Sequence, residues 1–117
     1  MNIIATGAGL ACLGVILGAF GTHGLQGKIG YDLLEIYKTG TYYLMIHALG
    51  LILFGLFRPE KTWPAKAFIL GTVIFSGSLY LITFTGIRGF GMITPIGGLF
   101  YILGWIGFAV QAKKGVR

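Results

Sequence analysis

The sequence predicts an all-α membrane protein: a four-helix transmembrane bundle with short loops. Three observations carry this expectation. Only 10% of the 117 residues are charged and 56% are hydrophobic, whereas a soluble domain carries about 25% charged residues. The charges fall in short clusters that leave four charge-free runs, 1–27, 39–57, 67–87 and 89–112, each near the ~20 residues that cross a bilayer as a helix. No stretch shows the alternating polarity over about ten residues that a membrane barrel strand needs. Helices are expected over about 3–22, 41–57, 65–86 and 95–112, in a single domain spanning residues 1–117.

Helix 1 leads into "LGAFGTHGLQGK" at 17–28, which has the look of a phosphate-binding loop. The match fails: Thr22 stands where the first glycine of GxxxxGK[ST] belongs, and Ile29 follows Lys28. A dinucleotide fingerprint fails too, since Cys12 replaces its third glycine. The glycines have another use. Gly7, Ala11, Gly14, Gly18 and Gly21 are spaced 4-3-4-3 and share one helix face. In lipid, small residues let backbones approach closely enough for dispersion to hold helices together, so this face is expected to be a packing seam, able also to support self-association into a homo-oligomer. The run is not expected to be a cleavable signal, because no Lys or Arg precedes its long apolar core. Cys12 is the only cysteine, which excludes an intramolecular disulfide.

Between helices 1 and 2, "KIGYDLLEIYKTG" interleaves apolar residues with Asp32, Glu35 and Lys38. It reads as a short interfacial helix, or equally as a protruding first turn of helix 2 with Gly40 as a bend. Lys28–Asp32 and Glu35–Lys38 are spaced for helical ion pairs. Helix 2 is expected to end before Pro59, whose predecessor is pushed out of helical geometry. Thr62 is expected to cap helix 3 with Pro64 in its first turn, and Thr94 with Pro95 to repeat the device at helix 4. Trp63 suits the interfacial aromatic belt. Trp105, near mid-span, is expected to pack on glycines of a neighbouring helix.

With four spans, both termini and the 58–66 loop share one side, which holds Arg58, Lys61, Lys66, Lys113, Lys114 and Arg117. The other side holds Lys28, Lys38 and Arg88. Six basic residues against three place both termini in the cytoplasm. The net charge of +6 then reads as a topology signal with some attraction to membrane lipids. Nucleic-acid binding is not expected, because no soluble domain is present to carry a basic groove.

No acidic residue lies within any predicted span, and the one basic residue, Lys66, sits at the inner end of the third, which argues against ion- or proton-coupled transport. The remaining polar residues gather towards the outer half: His23 at the end of helix 1, Tyr43 and His47 one turn apart on helix 2, Ser76 and Tyr80 on helix 3, Thr94 and Tyr101 on helix 4. His47 is expected neutral and bonded across the bundle to Ser76 or Tyr80, because no intramembrane acid is available to pair with an imidazolium. Haem or metal ligation by the two histidines is disfavoured: His47 lies about 10 Å deeper than an outer boundary near Gly40, at 1.5 Å per residue, and no cysteine or carboxylate completes a metal set. The histidine–serine pairs lack an acid for a hydrolytic triad.

"LGAFGTHGL", "YYLMIHALGL", "FSGSLYLITFTG" and "ITPIGGLFYILGW" together resemble the small bacterial membrane proteins of the domain-of-unknown-function 423 family. The likeness spans nearly the whole chain, with Thr22 in place of the usual alanine before the first histidine. It implies a four-helix protein of the bacterial cytoplasmic membrane, and brings no activity or catalytic residue with it. The expected function is non-enzymatic and without cofactor or metal: binding of a small molecule or lipid in an outward-facing polar pocket lined by His23, Tyr43, His47, Ser76, Tyr80 and Thr94. The alternatives are a structural or partner-stabilising membrane subunit without ligand, and a passage for a neutral solute.

Overall fold

The computed structural model describes residues 1–115. It comprises four long helices, α1 (Ile3–Phe20), α2 (Tyr31–Phe57), α3 (Trp63–Thr85) and α4 (Thr94–Lys113). A π-helical turn, Gly21–Leu25, extends α1, and a 3₁₀ turn, Arg88–Met92, leads into α4. All four are long and apolar enough to cross a membrane, and no strand occurs among the described residues. Large side chains such as Val15, Ile16, Leu56, Val73, Leu99 and Ile102 are exposed along the helices. An apolar surface this continuous is untenable in water and is what the hydrocarbon core solvates.

Helix ends follow the chain's own signals, with corrections. Asn2 caps α1, its side-chain oxygen accepting from the Ala5 amide at 2.9 Å. α2 closes at Phe57, ahead of Arg58–Pro59, and Gly86 ends α3 in a left-handed conformation (φ +73°) that a side chain would strain. Thr62 precedes α3 but makes no side-chain cap, and Thr94 is the first residue of α4 rather than its cap. The Thr94 hydroxyl is drawn instead to Ser78 on α3.

The connector takes the second of its two expected forms, the protruding start of helix 2. No separate interfacial helix exists, because 31–38 forms the first turns of α2 itself. Gly40 is not a bend either. It is buried in continuous helix, where a Cβ would stand 3.2 Å from the Tyr80 ring and 3.4 Å from Leu79 Cβ. A mid-helix glycine costs about 1 kcal/mol against alanine, and here it admits α3. Asp32 pairs with Arg88 of the 3₁₀ turn at 3.9 Å rather than with Lys28, while Lys38 and Glu35 lie 4.0 Å apart. Both pairs are exposed and add little to stability.

The closest helix packing follows chain order, α1 on α2, α2 on α3 and α3 on α4. On α1, a Cβ at Gly7 would meet the Ala48 carbonyl oxygen at 2.8 Å, and one at Gly14 would meet Met45 at 2.9 Å and Leu44 at 3.0 Å. Gly21 faces the Tyr37 ring, Ala11 is half-buried, and Gly18 has only Thr41 at 3.9 Å. The seam is therefore close at its lower end and slack at Gly18. Gly14→Leu should lower detergent stability by about 1–3 kcal/mol, whereas Gly18→Leu and the exposed Cys12→Leu should each change it by less than about 0.5 kcal/mol. Equal thermal midpoints for Gly14→Leu and Gly18→Leu would overturn this division.

A second seam, not drawn from the sequence, runs along α4: Gly97, Tyr101, Gly104, Gly107 and Gln111 are its buried residues. Gly97 lies against the Phe75 backbone, Gly104 against the Phe68 ring, and Gly107 against Trp63 and Pro64. Tyr101 reverses the pattern, its ring filling the space above Gly71 of α3.

Candidate functional site

Of the six residues expected to line one pocket, five fall in three separate places and His23 stands apart. His47 is buried on α2 between α3 and α4. Its Nε2 lies 2.9 Å from Trp105 Nε1, and its Nδ1 lies 2.7 Å from the Tyr43 carbonyl oxygen one turn back. The imidazole stacks on Tyr101 with centroids 3.5 Å apart and planes 10° apart. Phe68 meets its edge at 5.5 Å. Tyr43 joins the same aromatic group through its ring, 4.7 Å from Phe75 and 6.3 Å from Tyr101. The expected bond from His47 to Ser76 or Tyr80 is absent because both hydroxyls are engaged elsewhere.

Ser76 donates to the Gly40 carbonyl at 2.7 Å, a bond made short by the missing Cβ at Gly40. Thr41 donates to the Tyr37 carbonyl at 3.2 Å and so accepts from Tyr80, whose hydroxyl lies 2.8 Å away. Tyr37 in turn donates to the Leu17 carbonyl of α1. These bonds tie α1, α2 and α3 together near the end away from the termini. Thr94 and Ser78 form the third place, linking α3 to α4. His23 belongs to none of these: it stands exposed in the π turn.

Free space opens elsewhere. Where the α1 seam slackens, Gly18, Gly21, Thr22, Tyr37, Lys38, Thr41 and Tyr42 line a half-open cleft of about 220 Å³ between α1 and α2. Its floor is glycine and the face of the buried Tyr37 ring. Thr22 and Thr41 already bond carbonyls of their own helices, while Lys38 and Tyr42 stand exposed at its edge. An apolar floor with polar groups at the rim suits an amphiphile.

A family model described as "Protein of unknown function (DUF423)" matches residues 17–98. The UPF0382 membrane protein YwdK of Bacillus subtilis is 44% identical over 118 residues, covering 95% of each chain. The chain belongs to the DUF423 family. The UPF0382 membrane protein SH2409 of Staphylococcus haemolyticus is 40% identical over 97% of this chain and 96% of its own. A Staphylococcus aureus UPF0382 membrane protein, SAB0533, is 42% identical over 95% and 94%. No solved structure matches the chain.

In this DUF423 protein the roles not drawn from the sequence are those of Tyr101, Tyr37 and Thr41 and the bond of Trp105 to His47, whereas the packing of Trp105 on a glycine of a neighbouring helix is as expected. Trp105 packs over Gly50, with ring atoms 3.1 Å from where a Cβ would stand, and also supplies the donor to His47. With both nitrogens of His47 engaged, the ring has no free lone pair for a metal. Its chemistry is cohesive: it joins α2 to α4 through a polar bond and a stacked face. The DUF423 chain thus spends its central histidine on architecture, while Thr22, Lys38 and Tyr42 stand exposed at the α1–α2 cleft.

Proposed function

We propose that this DUF423 protein is a non-enzymatic multi-pass protein of the bacterial cytoplasmic membrane that takes a lipid or other small amphiphile into the α1–α2 cleft. The observation that carries the reading is the gap in one seam: close at Gly7, Gly14 and Gly21 but open at Gly18, with a polar rim above an apolar floor. The six-to-three basic asymmetry supports termini on the cytoplasmic side and a cleft in the outer leaflet. A reporter active only outside the membrane should be silent when fused after the last residue, and activity there would reverse the orientation.

The ligand reading is tested by a phospholipid with a photoactivatable acyl chain, crosslinked in vesicles and mapped by peptide mass spectrometry. Label should concentrate on the cleft residues Gly18, Gly21, Thr22, Lys38, Thr41 and Tyr42. Uniform label along the exposed face of α1, at Leu13, Ile16 and Phe20 as much as at the cleft, would show lipid contact without a site. A ligand-free structural subunit is the second reading, favoured by the mutual bonding of Ser76, Tyr80, Ser78 and Thr94 between helices.

A further inference from the structure

The depth of the cleft relative to the charges of α2 narrows its occupant. The charge-free run 39–57 is about 28 Å long at 1.5 Å per residue, close to the ~30 Å hydrocarbon thickness. With its inner end at Arg58, that run sets Lys38 at the opposite boundary between acyl chains and headgroups. Of the other cleft residues on α2, Tyr37 is level with Lys38 and faces Gly21, while Thr41 and Tyr42 lie about one turn deeper, Thr41 alongside Gly18 of α1. The site therefore has an ammonium at the depth of lipid phosphates and an apolar recess that runs inward from it past Gly18.

We propose that the cleft is a glycerophospholipid site in the leaflet away from the termini, with the phosphodiester on Lys38 and the upper part of an acyl chain over Gly18, Thr41 and Tyr42. The inference rests on the lipid-cleft reading above and adds the headgroup chemistry. Lys38 is free to serve: its side chain is 51% exposed, and its tie to Glu35 spans 4.0 Å between two exposed groups. A lysine binds phosphate as a point charge, which requires only proximity and depth. The other charges at this end are Lys28, Glu35 and the Asp32–Arg88 pair. Glu35 is the one that opposes a second negative charge, so the site selects for the phosphodiester itself and not for additional anionic groups.

The test compares phosphatidylglycerol with diacylglycerol of the same chains, each titrated into the detergent-solubilised full chain and read as bound lipid by native mass spectrometry. Wild type should retain the phospholipid over the diacylglycerol by up to about fivefold, the scale of an exposed ion pair. Lys38→Gln should bring that ratio to about one while still holding diacylglycerol. Gly18→Leu, which enters open space and leaves the fold intact by its thermal midpoint, should reduce both lipids. A preference that survives in Lys38→Gln would overturn the headgroup assignment and leave the cleft standing. Unchanged retention of both lipids in Gly18→Leu would remove the cleft reading and this inference with it.

Discussion

Replacing Gly97 by leucine should separate α4 from α3 and abolish recovery of folded protein in mild detergent. Alanine at the same position should lower stability by about 1–3 kcal/mol. The reason is what a Cβ meets there. At Gly97 it would stand 2.8 Å from Phe75 Cα and closer still to the Phe75 amide nitrogen. These are backbone atoms of another helix and cannot swing aside as a side chain does. The helix itself must move, and Tyr101 over Gly71, Gly104 on Phe68 and Gly107 on Trp63 all depend on its position. Lipid tails are as apolar as these contacts, so once backbone approach is lost little holds the pair together. Gly98→Leu is the control: it makes the same change of residue one position along, where nothing lies within 4 Å. Thermal melts that fail to separate Gly97→Ala and Gly98→Ala would mean that this close approach carries no stability.

The sequence made the spans legible because charge is excluded from hydrocarbon wherever it has no partner. The four charge-free runs therefore mark the membrane directly, and Pro59 marks a helix end. The start of α2 was not legible. Alternating apolar and charged residues over 31–38 describe an interfacial helix and a helix emerging from the bilayer equally well, and only the continuity through Gly40, bound to its packing on Tyr80, separates them. The α1 seam was visible because its residues are all small. The α4 seam was not, because Tyr101 interrupts the glycines, and its complement, Gly71, lies on another helix. Site geometry failed for a related reason. Periodicity places His47 and Tyr43 on one face and Ser76 and Tyr80 on another, but it does not say which helix each face meets. Gly40 and Thr41 take the bonds of Ser76 and Tyr80, leaving His47 to α4.

His47→Phe should preserve the fold yet lower its stability by about 1–2 kcal/mol, the upper range for hydrogen bonds between membrane helices. The argument starts from the two partners. An indole N–H can only donate, and a backbone carbonyl can only accept. With Trp105 Nε1 facing Nε2 at 2.9 Å and the Tyr43 carbonyl facing Nδ1 at 2.7 Å, Nε2 must be the bare acceptor and Nδ1 must carry the proton. An imidazolium would set one N–H against another. Nitrogen NMR of the labelled protein in lipid discs should therefore show one protonated and one bare ring nitrogen at neutral pH, with Nδ1 protonated. Phenylalanine keeps a flat ring for Tyr101 to stack on but leaves the indole N–H without an acceptor, and Trp105→Phe leaves Nε2 without its donor. Because each single variant strands one partner and the double variant strands neither, the pair should be non-additive, with a coupling of at least about 0.5 kcal/mol in a double-mutant cycle. A spectrum with two ring N–H groups, or single-variant losses that simply add, would show that the His47–Trp105 bond does not hold α2 to α4.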